Sequence, residues 1–156
     1  MTLSAQEPQK SEDAGPFDRF LCFAAYSTSL AFNRLYKSVL DDLGLTYPQY
    51  LVIVALLHRD RQAVSELGDA LFLESNTLTP LIKRLEAAGL VTRQRDSADE
   101  RVVRVSLTAQ GRGLADRIAC VPTDILKATG MSIEELGALQ QGLMKLGDNL
   151  RASQRD

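Results

Sequence analysis

The chain has 156 residues, of which 45% are apolar and 24% charged, and its formal net charge is −2. That length fits one domain or one subunit of a compact oligomer, and the composition is that of a soluble globular protein. No apolar run approaches the ~20 residues of a membrane span, the polar stretch Met1 to Gly15 lacks a signal-peptide core, and two cysteines are too few for a disulfide framework. The expectation is a cytoplasmic protein with no membrane contact and with both thiols reduced at rest.

Residues 1–15 are polar and poor in aromatics, which predicts a disordered tail. Pro16 suits the first turn of a helix, and the apolar run through Phe20-Leu21-Cys22-Phe23 and Leu30-Ala31-Phe32 predicts one long helix to Leu43, stopped by Gly44. Apolar residues on more than one side of it imply packing against something other than water. Thr46 is placed to cap a second helix, Tyr47 to His58, with Pro48 in its first turn. Ser65 is the expected cap of a third, carrying Leu67, Ala70 and Leu71 at helical spacing. The turn Leu73-Glu74-Ser75 then leads to a fourth, with the stripe Leu78, Leu81, Ile82 and Leu85 and Gly89 as its stop.

After Gly89 the apolar period changes. Leu90 to Arg95 and Arg101 to Leu107 alternate like strands, with Asp96 to Glu100 as the turn between them. Thr108 caps a long helix in which Pro122 is the expected interruption, Ser132 caps a last helix from Ile133 to Leu150, and 151–156 form a tail. The fold class is therefore mainly α with a small β-hairpin, in the order of a winged helix-turn-helix.

That order gives the polar residues a reading. The fourth helix would enter a major groove of double-stranded DNA, where Ser75, Asn76, Thr77 and Thr79 suit base edges and phosphates while Lys83 and Arg84 suit the backbone. Arg93 and Arg101 belong to the hairpin, and a guanidinium at its tip fits a narrow, electronegative minor groove. Asp96 and Asp99 would repel phosphate unless they position arginines through bidentate pairs, which is the role expected of them. The net charge is not that of a basic nucleic-acid binder; the alternative is a helical hairpin and β-hairpin with a solvated charged surface.

Cys22 opens a second line of argument. A lone cysteine on an apolar helix is ordinarily a small core residue, but three of the chain's four tyrosines, Tyr26, Tyr36 and Tyr47, follow it closely. Cys22 and Tyr36 fall on nearly one helix face, ~21 Å apart along the axis at ~1.5 Å per residue. Two copies crossing antiparallel about a dyad near Ser29 would bring Cys22 of one chain to Tyr36 of the other. Phenol donors stabilise a thiolate, which attacks a hydroperoxide to give sulfenic acid. Phe20, Phe23 and Phe32 favour peroxides with an organic tail. With the tyrosines as core residues instead, the thiol is inert.

These residues resemble the MarR family of winged-helix regulators and, within it, the organic hydroperoxide resistance regulators (OhrR-type repressors). The resemblance covers Leu21 to Leu150 and is densest in Leu21-Cys22-Phe23-Ala24, Leu43-Gly44-Leu45-Thr46-Tyr47-Pro48-Gln49-Tyr50 and Thr77-Leu78-Thr79-Pro80-Leu81. Arg93, Asp96, Asp99 and Arg101 match the wing pattern of the wider family, and Cys22 with Tyr36 and Tyr47 that of the peroxide-sensing branch. The resemblance implies an interlocked helical homodimer, with 16–45 and 108–150 as dimerisation helices around a DNA-binding winged helix-turn-helix at 46–107. It implies that Tyr36 and Tyr47 of the opposite subunit hydrogen-bond the Cys22 thiol, with Tyr26 in the same network. Oxidation then releases operator DNA and derepresses a peroxide-detoxification gene.

Two-cysteine members carry a resolving thiol where this chain has Lys127, before Ala128-Thr129-Gly130; its own second thiol is Cys120. Either Cys120 resolves the oxidised Cys22 by another geometry, or a small cellular thiol caps it and Cys120 is a core residue. The slight preference is for the small thiol. His58 is the only histidine, and no metal site or cofactor is expected. Two other functions compete with a peroxide-released repressor. A MarR-type repressor released by a reversible phenolic or lipophilic ligand would not need Cys22. A thiol peroxidase would use Cys22 in turnover, but no arginine follows it closely to build a polar peroxide pocket, so no enzyme is expected.

Overall fold

The computed structural model describes residues 15–154. The expected N-terminal tail therefore lies outside the described residues, except for Gly15. The described chain divides into two compact units, with the boundary between Leu35 and Tyr36.

The N-terminal unit opens on a turn. Asp18 accepts the Gly15 N–H at 2.7 Å, and the Phe20 N–H bonds the Phe17 carbonyl at 2.9 Å. Helix α1 (Leu21–Leu40) starts only after this turn, so Pro16 does not begin the helix as its residue type suggests. The carboxylate of Asp18 and the stacking of Phe17 on Phe23, with ring centroids 4.8 Å apart, hold the preceding segment in a different local structure. Phe20, Leu21, Phe23, Tyr26, Leu30 and Phe32 of this unit are all exposed in the single chain.

In the second unit α1 ends in a short 3-10 turn, Asp41–Leu43, closed by Gly44 at φ 64°. Helix α2 (Tyr47–His58) follows with Thr46 as N-cap, and the Gln49 side chain accepts the Thr46 N–H at 2.9 Å. A two-residue strand β1 (Gln62–Ala63) leads into α3 (Val64–Leu71), and α4 (Ser75–Ala87) ends before Gly89 at φ 74°. Helix α3 begins at Val64 rather than after Ser65, because Glu66 reaches back to accept the Ala63 N–H at 2.7 Å. Strands β2 (Val91–Arg95) and β3 (Val103–Leu107) form the hairpin, and β1 adds to the far edge of β3 in an antiparallel sheet of order β1-β3-β2. The second strand starts two residues later than its alternation suggests. Asp99 captures Val102 through a 2.9 Å backbone bond, and Asp96 donates to the Val102 carbonyl at 2.8 Å, so Arg101 and Val102 belong to the turn.

Thr108 caps as expected, but only the four-residue α5 (Ala109–Arg112). Its hydroxyl accepts the Gly111 N–H at 3.0 Å and donates to the Gly89 carbonyl at 2.6 Å. The break falls at Gly113 and Leu114, and Pro122 sits inside an unbroken α6 (Ala115–Thr129). Ile118, Val121 and Ile125 form one buried stripe across the proline, and their packing outweighs the hydrogen bond that proline removes. Helix α7 (Ile133–Ser153) starts on a capping box in which Ser132 accepts from Glu135 N and Glu135 accepts from Ser132 N. It continues three residues past Leu150, into the segment read as a tail.

The core gathers Val52, Ile53 and Leu56 of α2, Leu67 of α3, Leu78, Ile82 and Leu85 of α4, and Val91 and Val105 of the hairpin, each at 1% exposure or less. Burying each such side chain contributes ~1.5–3 kcal/mol, which fixes α4 and the hairpin on one frame. By contrast α7 has no buried residue, and Ile133, Leu139, Leu143, Met144 and Leu150 are exposed along it. Among the described residues no single helix is long and apolar enough to cross a membrane.

Candidate nucleic-acid interface and thiol site

Helix α4 buries Leu78, Leu81, Ile82 and Leu85 and therefore turns its other face outward. Ser75, Asn76 and Thr77 occupy its first turn and are exposed, Thr79 is half-buried, and Lys83 and Arg84 are exposed one turn further on. The hairpin lies beside this helix. Ser75 and Thr79 of α4 share a cleft of about 260 Å³ with Arg93 and Arg101 of the hairpin and Ser65 of α3. Four of the expected DNA-reading residues thus line one cleft, whereas Asn76, Thr77, Lys83 and Arg84 lie outside it.

The acids of the hairpin divide their work. Asp99 holds Arg101 in a bidentate pair, Nε to Oδ1 at 3.0 Å and Nη2 to Oδ2 at 3.1 Å, and also accepts the Arg101 N–H at 3.1 Å. The Arg101 side chain is nevertheless 90% exposed, so its guanidinium is braced and still presented. Its bonds with Asp99 hold that carboxyl below the usual range. Asp96 also holds an arginine, as expected, but it is Arg104 of β3 and through one oxygen rather than a bidentate pair. It accepts the Ala98 N–H at 2.8 Å, and that bond and then the Arg104 pair lower its carboxyl. The register that sets Gln94 opposite Arg104 puts that guanidinium at the root of the turn, so Asp96 shapes the wing instead of serving its tip.

Arg93 is likewise committed within the chain. Its Nε bonds Glu86 Oε2 at 2.9 Å and its backbone N–H bonds Glu86 Oε1 at 3.1 Å, tying β2 to the last turns of α4. Sequence reasoning missed Glu86, Arg104 and Glu66. Glu66 caps α3, pairs with Arg59 at 3.0 Å and lies 3.7 Å from Arg104. Lys83, Arg84 and Arg95 make no carboxylate pair among the described residues, and all three are exposed.

The thiol and tyrosine residues are divided between the two units. In the first, Cys22 is an exposed free thiol at the second position of α1, and Tyr26 lies 6.4 Å from Phe23, centroid to centroid. In the second, Tyr36 and Tyr47 come together, their ring centroids 4.2 Å apart. Tyr50, absent from the sequence-derived site, completes the cluster at 5.8 Å from Tyr36 and 6.2 Å from Tyr47. Its spacing of three from Tyr47 on a helix was the available signal. Burial, and then the neighbouring phenols of Tyr47 and Tyr50, push the Tyr36 hydroxyl up to about 12. It is therefore a protonated donor throughout the physiological range. Cys120 is an exposed free thiol on α6, not a core residue. Among the described residues no three His, Cys, Asp or Glu side chains converge as a metal site.

Comparison with known proteins gives this geometry a family. Residues 34–118 match the family model described as "Transcriptional regulator SarA/Rot". The HTH-type transcriptional regulator TtmR of Methylorubrum extorquens is 47% identical over 141 residues, 90% of this chain and 72% of that protein. The organic hydroperoxide resistance transcriptional regulator of Bacillus subtilis is 41% identical, covering 83% of this chain and 88% of its own. Among solved structures, reduced AbfR bound to DNA, a protein of Staphylococcus epidermidis, matches with a TM-score of 0.74 at 34% identity, over 85% of this chain and 90% of that one. A helix-turn-helix with an arginine-tipped wing, a family model over more than half the chain and relatives of this similarity converge: the chain belongs to the MarR-like SarA/Rot family of winged-helix transcriptional regulators.

Proposed function

We propose that this DNA-binding regulator is a repressor that holds operator DNA as a homodimer and releases it when an organic hydroperoxide oxidises Cys22. The observation that carries the reading is an exposed thiol on an aromatic-rich helix, in a chain whose Tyr36 and Tyr47 phenols are packed together. The similarity to a Bacillus regulator named for organic hydroperoxide resistance supports the choice of signal.

The exposed apolar side chains of α1 and α7 argue for the homodimer, because a single chain leaves them in water. Two copies that cover these helices against each other would bury Phe23, Phe32, Leu139 and Leu143. In that dimer the protonated hydroxyls of Tyr36 and Tyr47 from one subunit donate to the Cys22 sulfur of the other, with Tyr26 alongside. The thiolate sulfur attacks the peroxide, an S–O bond forms as the O–O bond breaks, sulfur loses two electrons and the hydroperoxide leaves as an alcohol. The sulfenic acid no longer accepts the phenol bonds as the thiolate did, and condensation with a small cellular thiol releases water and leaves a mixed disulfide. The dimer helices then shift, and the two heads lose their match to the half-sites.

On DNA, Ser75, Asn76, Thr77 and Thr79 read the major groove while Lys83 and Arg84 meet phosphates. Arg101 enters the minor groove, braced by Asp99, and Arg93 and Asp96 support the wing from behind.

The test is intact mass after one equivalent of cumene hydroperoxide, for wild type, Cys22→Ser and Cys120→Ser, with operator binding followed before and after adding a small thiol. A gain of one oxygen on Cys22 that converts to a thiol adduct, with loss of DNA in wild type and Cys120→Ser alike, is the expected result. Loss of two mass units abolished by Cys120→Ser would assign the resolving role to Cys120 instead. Release of Cys22→Ser by peroxide would overturn the reading and move the search to a reversible ligand.

A further inference from the structure

The turn of the helix-turn-helix is held in an unusual backbone. Phe72, the C-cap of α3, has φ 54° and ψ 37°, left-handed values that a residue with a Cβ rarely adopts. This conformation packs the turn against Gly68, where an added Cβ would lie 2.8 Å from the Leu73 carbonyl oxygen. It also leaves the Phe72 ring 67% exposed. Two residues later Glu74 is the N-cap of α4, and Ser75, Asn76 and Thr77 follow directly. Whatever fixes Phe72 therefore fixes the start of the recognition helix.

The last turn of α7 supplies the fixing contact from far along the chain. The Arg151 guanidinium carbon sits 3.9 Å from the centroid of the Phe72 ring. Asp148 orients that guanidinium through a 2.7 Å bond to Nη2. Gly147 gives it room, since a Cβ there would meet both Arg151 Nη atoms at 3.2 Å. A bare glycine, an orienting acid and an outward-turned aromatic ring all serve one guanidinium. Arg151, Asp148 and Phe72, together with Leu73 and Glu74, line a groove of about 690 Å³.

We infer that Arg151 and Phe72 are positioning residues for DNA recognition: the C-terminal turn of α7 clamps the helix-turn-helix corner and sets the start of α4. Arg151 does this without touching DNA, and the ring it engages needs the left-handed backbone at Phe72 to face α7. The inference rests on the DNA-binding function of the family and not on Cys22, so it stands or falls separately from the peroxide reading.

The test uses the full-length reduced protein and operator DNA over a range of salt. Arg151→Ala and Phe72→Leu are each expected to weaken binding about two- to five-fold per head, the strength of an exposed cation–π contact. The double variant is expected to be no weaker than the worse single one, and Arg151→Lys and Phe72→Trp to restore most of the loss. The slope of log affinity against log salt stays at the wild-type value. A slope reduced by ~0.9 in Arg151→Ala would make Arg151 a phosphate ligand and overturn the positioning role. Additive losses, or wild-type affinity in both single variants, would overturn it equally. Should Phe72→Leu fail to fold, Arg151→Ala with its salt slope and its Lys rescue decides the matter alone.

Discussion

Gly111 is where the wing is rooted to the helices that follow it, and replacing it with alanine tests that joint directly. A Cβ built there lies 2.1 Å from the Leu90 carbonyl oxygen and 3.1 Å from a Leu107 methyl. Ordinary contact begins near 3.4 Å, so backbone on one side must retreat by about 1.3 Å. Leu90 and α5 are not free to move: the Leu90 carbonyl accepts the Thr108 N–H at 3.1 Å, and the Thr108 hydroxyl binds both Gly89 and Gly111. Overpacking costs about 1–3 kcal/mol, and the Thr108 cap and the ladder bond are worth about 1 kcal/mol each. Gly111→Ala should therefore lose about 3–5 kcal/mol, a fall in Tm of roughly 6–20 °C for a chain of this size. Gly137→Ala is the control, because an added Cβ there meets nothing within 4 Å in its own chain and α7 gains about 0.5–1 kcal/mol of helix preference. Thermal unfolding followed by far-UV circular dichroism reads both. A Gly111→Ala protein that melts within about 2 °C of wild type would refute the reasoning, since it would mean the wing root relaxes freely.

Arg101→Ala should weaken operator binding and lower the salt slope by about 0.9, while Cys22 oxidises at the wild-type rate; unchanged affinity removes the minor-groove role. Tyr36→Phe should leave the oligomeric state intact, as judged by light scattering, and slow Cys22 oxidation by peroxide; a wild-type rate means the phenol does not reach the thiol. Burial raises the Asp60 carboxyl, but the Leu107 and Arg61 N–H groups and Arg112 outweigh it, and the net result is a lowered value. A carboxyl held below its unfolded value stabilises the fold above the ordinary carboxylate range, and that stability fades as pH falls through the folded value. Urea midpoints from pH ~7 down to ~3 should thus fall less steeply for Asp60→Asn than for wild type, and parallel curves would deny Asp60 that role.

Much of this fold was legible because the decisive signals were local. Gly44 and Gly89 stop helices at positive φ, and Thr46 and Ser132 cap them, each through bonds within a few residues. The features that escaped depend on distant partners. The start of α1 is set by Asp18 and by Phe17 stacking on Phe23, neither of which is a helix signal. Helix α6 survives Pro122 because of a buried stripe that only the tertiary structure creates. Strand β1 has two residues and no period to detect; it exists because β3 offers a free edge. The same distinction runs through the site. Arg101 with Asp99 was readable from a spacing of two, whereas Asp96 with Arg104 and Arg93 with Glu86 follow from strand register and helix packing.

Those internal pairs explain how an acidic chain presents a face for DNA. A count of charges treats every carboxylate as repelling phosphate, but the field at the surface depends on where each one is spent. Glu86 is turned onto Arg93, Asp96 onto Arg104, Glu66 onto Arg59 and Asp60 onto Arg112. Each pair is close to neutral at a distance, and each joins two elements of the head. Among the described residues Lys83 and Arg84 on α4 and Arg95 on β2 make no carboxylate pair, and with the presented guanidinium of Arg101 they give the proposed DNA face its positive charge. Asp99 completes the pattern from the other side: it lowers the net charge at the wing tip, yet fixes the direction of the one arginine placed there, trading nonspecific attraction for geometry. The formal charge of −2 and a DNA-binding function are therefore compatible in physical terms, because Asp60, Glu66, Glu86, Asp96 and Asp99 are turned onto arginines while Lys83, Arg84 and Arg95 make no carboxylate pair among the described residues.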